Sequence, residues 1–193
     1  METLKVRITG SSPLLMHSDR LANPLDPLKK ELATYTSKRK KTDEDHEEIS
    51  RIEWSAAMYH DDNIGPYIPG VMVKATMINA AKKTKEGPKA RSGLIVTTSK
   101  ARLEYDGPRD KEKMWKSGKF ADIRSVVVQR ARLMRCRPVF TEWSFVAEIM
   151  YDMSVIDKAD ILRLLETAGL MVGIGDFRPQ FGGDFGRFIT EEV

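Results

Sequence analysis

Leu4, Val6 and Ile8 alternate with Thr3, Lys5, Arg7 and Thr9, the period of a strand with one buried face. Gly10-Ser11-Ser12-Pro13 ends it, and Leu14 to His17 forms a short extended piece before the Pro-rich loop Asn23-Pro24-Leu25-Asp26-Pro27. A short helix is predicted over Leu28 to Thr34. A longer one starts at Thr42-Asp43-Glu44-Asp45, where hydroxyl and acidic groups suit the positive helix end, and runs to Tyr59. Ile68-Pro69-Gly70 opens the next helix, whose surface of Val71, Val73, Ala75, Met77, Ile78, Ala80 and Ala81 is small and packable. Leu94 to Thr97 and Ala101 to Tyr105 read as strands, and Asp106 to Arg124 as a polar, protruding loop. Val126 to Arg137 and Val139 to Tyr151 are the longest strand patterns, with a corner at Pro138. A helix begins at Asp157, buries Ile161, Leu164, Leu165, Ala168 and Val172, and stops at Gly173. A glycine-rich loop to Phe188 then enters a last strand. The order strand, helix, strand pair, strand, helix, strand predicts an α+β, ferredoxin-like or RRM-like sandwich.

A length of 193 residues suits one domain over the whole chain, with residues 20–60 as a helical insertion and 106–124 as the protruding loop. Hydrophobic residues at 41% and charged residues at 31% exclude wholesale disorder. No apolar stretch approaches the roughly 20 residues needed to span a bilayer. The N-terminus lacks the pattern of a secretory signal, so a cytoplasmic setting without membrane contact is expected. A single cysteine, Cys136, and three histidines rule out an internal disulfide and a structural zinc arrangement, and no cofactor or metal is expected.

Charge changes the picture more. Residues 61–140 hold 18 basic against 8 acidic side chains, and residues 141–193 hold 4 against 10. A basic middle and an acidic end point to a polyanion-binding surface and to head-to-tail contact between copies. Two basic clusters stand out: Lys82, Lys83, Lys85, Lys89 and Arg91 at the far end of a helix and its loop, and Arg124, Arg130, Arg132, Arg135 and Arg137 in a strand region. Trp115, Phe120, Phe177 and Phe181 are candidate platforms for unpaired bases, Trp115 above all because it sits in a polar stretch. In the glycine-rich loop, Gly173, Gly175, Gly182, Gly183 and Gly186 permit close backbone approach to a phosphodiester chain, helped by Arg178 and Arg187. A dinucleotide fold would need its strand before the glycines and its helix after them, and here that order is reversed. The best acid-base pair is His17 and Asp19, in the loop after the first strand.

Tyr67-Ile68-Pro69-Gly70-Val71-Met72-Val73-Lys74-Ala75, opening a core helix, and the glycine-rich segment Gly173 to Phe188 together resemble the RAMP superfamily. Its members include backbone subunits of CRISPR effector complexes. Val71-Met72 stands where the family's pattern has Ser-Ser. Pro13 to His17, Asn23 to Pro27 and Thr36 to Thr42 also resemble small tailed-bacteriophage proteins, which implies expression in a bacterial host cytoplasm. The resulting expectation is a non-catalytic protein that coats single-stranded nucleic acid, DNA before RNA, as a head-to-tail oligomer in phage DNA metabolism. The alternatives are a RAMP-type endoribonuclease using His17 and Asp19, and a CRISPR-like backbone subunit.

Overall fold

The computed structural model describes residues 1–193, apart from the side chain of Val128. Ten strands and six α-helices follow in the order β1 (Glu2–Gly10), β2 (Leu14–Leu15), α1 (Pro27–Thr36), α2 (Asp43–Ala57), β3 (His60–Asp61), β4 (Gly65–Pro69), α3 (Gly70–Lys83), α4 (Gly87–Gly93), β5 (Leu94–Val96), β6 (Lys100–Arg102), α5 (Lys111–Ser117), β7 (Ala121–Val128), β8 (Ala131–Phe140), β9 (Ser144–Tyr151), α6 (Lys158–Thr167) and β10 (Phe188–Glu192). The chain divides into two compact units: residues 1–14, 61–106 and 140–193, and residues 15–60 with 107–139.

In the first unit the sheet order is β10-β1-β9-β5, with every neighbouring pair antiparallel. Leu4, Val6 and Ile8 lie on one face of β1 and are buried, opposite Ile149, Ala147 and Phe145 of β9. The helix α3 links β1 to β5 and α6 links β9 to β10, and both bury apolar stripes, Val73, Met77 and Ala80 on α3 and Ile161, Leu164 and Leu165 on α6. Two split strand-helix-strand halves in this order make the α+β, ferredoxin-like sandwich that the hydrophobic pattern predicts. A π-helical turn, Ala168–Val172, extends α6 to Gly173.

Three elements differ from the sequence expectation. The expected strand Val126 to Arg137 is a hairpin, with β7 and β8 paired from Ala121↔Pro138 to Val128↔Ala131. Its two-residue turn puts Gln129 and Arg130 at φ of 48° and 69°, the left-handed geometry usually marked by Asn-Gly, so Gln-Arg gives no turn signal. The expected strand Val139 to Tyr151 is broken at residues 141–143. There Trp143 lies across Gly10 and donates its Nε1–H to the Ser12 carbonyl at 2.8 Å. The polar segment 106–124 holds a helix, α5, capped by the Asp110 carboxylate, which accepts from the Lys113 amide at 2.9 Å and whose helix closes on Gly118 at φ 67°. The second unit thus joins residues 15–60, with α1 and α2, to a segment that runs on through the hairpin to Val139.

Candidate nucleic-acid interface

In the first unit, two sequence regions about a hundred positions apart meet on one surface. The α3 helix ends in Lys82 and Lys83, cations that complement its negative dipole end. Lys85 follows at φ 63°, a left-handed position where glycine is favoured, so a charged side chain occupies a site whose backbone does not prefer it. Lys89, by contrast, pairs with Asp160 at 2.5 Å, and Arg163 bridges Asp160 and Glu86 at 2.8 and 3.1 Å. These four groups neutralise one another. Lys82, Lys83, Lys85 and Arg91 form no ion pair among the described residues and remain exposed. Lys82 donates instead to an uncharged partner, Asn79 Oδ1, at 3.1 Å.

Asn79 in turn donates to Gln180 Oε1 at 3.4 Å, which ties α3 to the glycine-rich loop. The same oxygen accepts from Arg178 Nη2 at 3.2 Å, and Arg178 Nη1 donates to the Gly175 carbonyl at 2.8 Å. The guanidinium lies 4.6 Å from the centroid of the Phe181 ring, and partial burial lowers its pKa from the ordinary arginine value. Phe181 is 66% exposed and Phe177 43%. An exposed aromatic braced by a guanidinium, beside a row of free ammonium groups, can stack a base and hold its phosphates.

The loop's glycines serve the loop first. Gly173, Gly175, Gly183 and Gly186 are buried, and only Gly182 is exposed. A Cβ on Gly183 would stand 1.8 Å from the Phe177 carbonyl oxygen, so the close backbone approach there is to the protein's own chain. Arg187 also braces the fold: it donates to the Leu170 carbonyl, pairs with Asp184 at 3.2 Å, and its amide donates to Ser12 Oγ at 2.9 Å.

In the second unit the five expected arginines do not share a face. Arg124 lies opposite Arg135 in the hairpin register, and Arg137 opposite Asp122, while Arg132 belongs to the other face and Arg130 to the turn. Carboxylates offset the first group. Asp122 holds Arg124 at 2.5 Å and lies 3.9 Å from Arg137, and Glu53 pairs with Arg135. Arg130 and Arg132 are exposed at the hairpin tip with no ion pair among the described residues. Cys136 is buried beside Glu53, and burial first, then the Glu53 and Asp122 charges, pushes its thiol up to about 12. Trp115 is half-buried, tilted at 52° against Trp54 with ring centroids 5.4 Å apart.

His17 and Asp19 are both exposed in the second unit. The Asp19 side chain caps no helix end, and the His17 carbonyl accepts from Tyr59 Oη at 3.5 Å. Among the described residues no three His, Cys, Asp or Glu side chains are grouped to hold a metal ion. Asn79 and Gln180 carried no sequence signal, because an amide reveals its role only once its partners are known. Of the candidate aromatic platforms in the sequence, Phe177 and Phe181 are exposed, whereas Phe120 is buried in the second unit and offers no face to a base.

No protein-family model matches the chain, and no curated protein matches it. Among solved structures the chain is similar to one determined by cryo-EM, the Type III-B Cmr-beta bound to cognate target RNA, with a TM-score of 0.56 and 11% identity. The alignment covers 99% of this chain and 58% of that one. The fold is RAMP-like. At this identity the likeness concerns fold alone, and the chain spans a little over half the length of that neighbour. No helix is long and apolar enough to cross a membrane.

Proposed function

We propose that this chain binds single-stranded nucleic acid without cutting it, through the first-unit surface formed by Lys82, Lys83, Lys85, Arg91, Arg178 and Phe181. The observation that carries the reading is the bridge from Lys82 through Asn79 and Gln180 to Arg178, which joins unpaired cations to a guanidinium-backed aromatic. Ammonium groups meet phosphates without regard to sequence, and a stacked ring accepts any base. RNA is the strand we favour, because the similar structure, Type III-B Cmr-beta, was solved bound to cognate target RNA. DNA, favoured by the phage resemblance, is the other outcome of the same competition. Arg130 and Arg132, at the hairpin tip of the second unit, are a separate candidate for phosphate contact.

Fluorescence anisotropy with a labelled strand of about 30 nucleotides tests this, since that length spans several sites of 4–16 nucleotides. Log affinity falls linearly with log salt by about 0.7 per phosphate contact. The double substitution Lys82→Glu, Lys83→Glu flattens that slope, whereas Phe181→Ala weakens binding about 5- to 100-fold and leaves the slope unchanged. Recovered RNA is intact with and without magnesium. No binding at low salt, or cleavage abolished by His17→Ala, overturns the reading in favour of a different ligand or of the endoribonuclease alternative.

A further inference from the structure

The second unit contains a cleft of about 300 Å³ lined by Arg51, Trp54, Ser55, Lys111, Trp115 and Lys116, with Glu112 on its rim. Its construction differs from that of a solvated helix surface. Trp54 is a fixed floor: the residue is buried, and its Nε1–H donates to the Phe120 carbonyl at 2.7 Å. Trp115 leans on it and stays half-exposed, because the Asp110 cap and the Gly118 stop confine α5 to two turns that end beside the cleft. Lys111 Nζ lies 3.2 Å from the Ser55 carbonyl and 3.4 Å from Ser55 Oγ, which anchors an ammonium at one side. Arg51 is already held by Glu31 and Glu48 at 2.9 and 2.8 Å. Lys116 reaches only the rim carboxylate of Glu112, at 3.9 Å with both side chains largely exposed, a pair of negligible strength that an arriving phosphate displaces.

A volume of about 300 Å³ with aromatic walls and two ammonium groups at its margin matches the shape and charge of one nucleotide: a flat π-ring with a phosphate beside it. We propose that this cleft is a mononucleotide pocket, in which the base stacks on Trp115 and Lys111 and Lys116 hold the phosphate. An acidic aromatic peptide fits less well, since a cleft of about 300 Å³ holds little beyond one large side chain. The nucleotide is either free in solution or swung out of a single strand. The pocket is tested apart from the proposed strand surface on the first unit, because quenching of Trp115, which lines the cleft, reports on the cleft alone.

The test is a titration of the full chain with AMP, adenosine, ribose 5-phosphate and a short oligoadenylate, followed by tryptophan fluorescence and calorimetry. Trp115 is the half-exposed indole of three, Trp54 and Trp143 being buried, so stacking quenches it. Saturable quenching by AMP is expected, with adenosine binding about 10-fold more weakly for want of the phosphate, and no binding of ribose 5-phosphate. Lys116→Glu, at an exposed position that does not support the fold, weakens AMP about 10-fold. Trp115→Phe keeps the calorimetric signal and Trp115→Ala loses it. Oligoadenylate binding tighter than AMP, and lost with Lys116→Glu, identifies a nucleotide of a strand, and equal affinity identifies the free nucleotide. Linear, non-saturating quenching, or AMP affinity unchanged by Lys116→Glu, overturns the pocket. Both results leave Phe181→Ala as the separate measure of the strand surface.

Discussion

At Gly183 a single added methyl group decides whether the glycine-rich loop closes. Its Cβ would stand 1.8 Å from the Phe177 carbonyl oxygen and 2.8 Å from the Phe177 ring, and neither can give way without moving backbone. The neighbouring Gly182 has open space around it but a φ of 79°, so a side chain there meets conformational strain alone. Gly183→Ala is therefore expected to destabilise by about 1–3 kcal/mol through overpacking, and Gly182→Ala by about 1 kcal/mol through its left-handed backbone. Chemical denaturation of the two variants checks the order. Because the loop positions Arg178 and Phe181, Gly183→Ala also lowers strand affinity, whereas Gly182→Ala affects it little. An equal loss in both would mean that the loop's backbone contacts the strand directly.

Element boundaries reflect the same local chemistry. The β7–β8 turn keeps Gln129 and Arg130 at φ of 48° and 69°, conformations that cost L-residues roughly 1–2 kcal/mol each. Gln129→Asn with Arg130→Gly should raise the midpoint of thermal unfolding, read by circular dichroism, and remove one phosphate contact from the salt slope. The α2 helix begins with a capping box, Asp45 N–H donating to Thr42 Oγ1 at 3.3 Å and Thr42 N–H to Asp45 Oδ2 at 3.1 Å. Lys38, at 2.5 Å, is the main cause that holds the Asp45 carboxyl below its usual range, and the Thr42 amide is the second. A folded pKa below the unfolded one means stability that is complete above about pH 4 and lost as pH falls through the folded value. Lowering the pH from about 5 to 2 should thus cost the native chain more thermal stability than it costs Asp45→Asn. The alternation of β1, the Pro-Gly opening of α3 and the apolar stripe of α6 were legible because each signal lies within one element. The hairpin was not legible, since Gln-Arg lacks the turn residues that announce such geometry. Nor was the pairing of Arg135 with Glu53, 82 positions away, which only tertiary structure brings together and which removes that arginine from the free cations.

At the scale of the whole molecule, there are two open sheet edges, one in an acidic stretch of the chain and one beside a basic hairpin tip. β10 pairs only with β1, and β7 only with β8. Ile189 on the first edge is 56% exposed, and Ile123 and Val127 on the second are 56% and 66% exposed. Unpaired edges with apolar side chains invite another strand. The β10 edge lies in the stretch with 10 acidic against 4 basic residues, and the hairpin ends in Arg130 and Arg132. Complementary but unlike surfaces make a heterologous contact, which continues from copy to copy instead of closing as a pair. If the chain coats a strand in a row, as the charge asymmetry of the sequence leads one to expect, the β7 edge of one copy meets the β10 edge of the next. Val127→Glu and Ile189→Lys should each abolish self-association in sedimentation runs with the strand present. Mixed together, they should restore a one-to-one dimer and go no further, because the first variant keeps an intact β10 edge and the second an intact hairpin. A mixture that stays monomeric, or single variants that still form rows, would place the copy-to-copy contact elsewhere and leave the charge asymmetry to serve the nucleic acid alone.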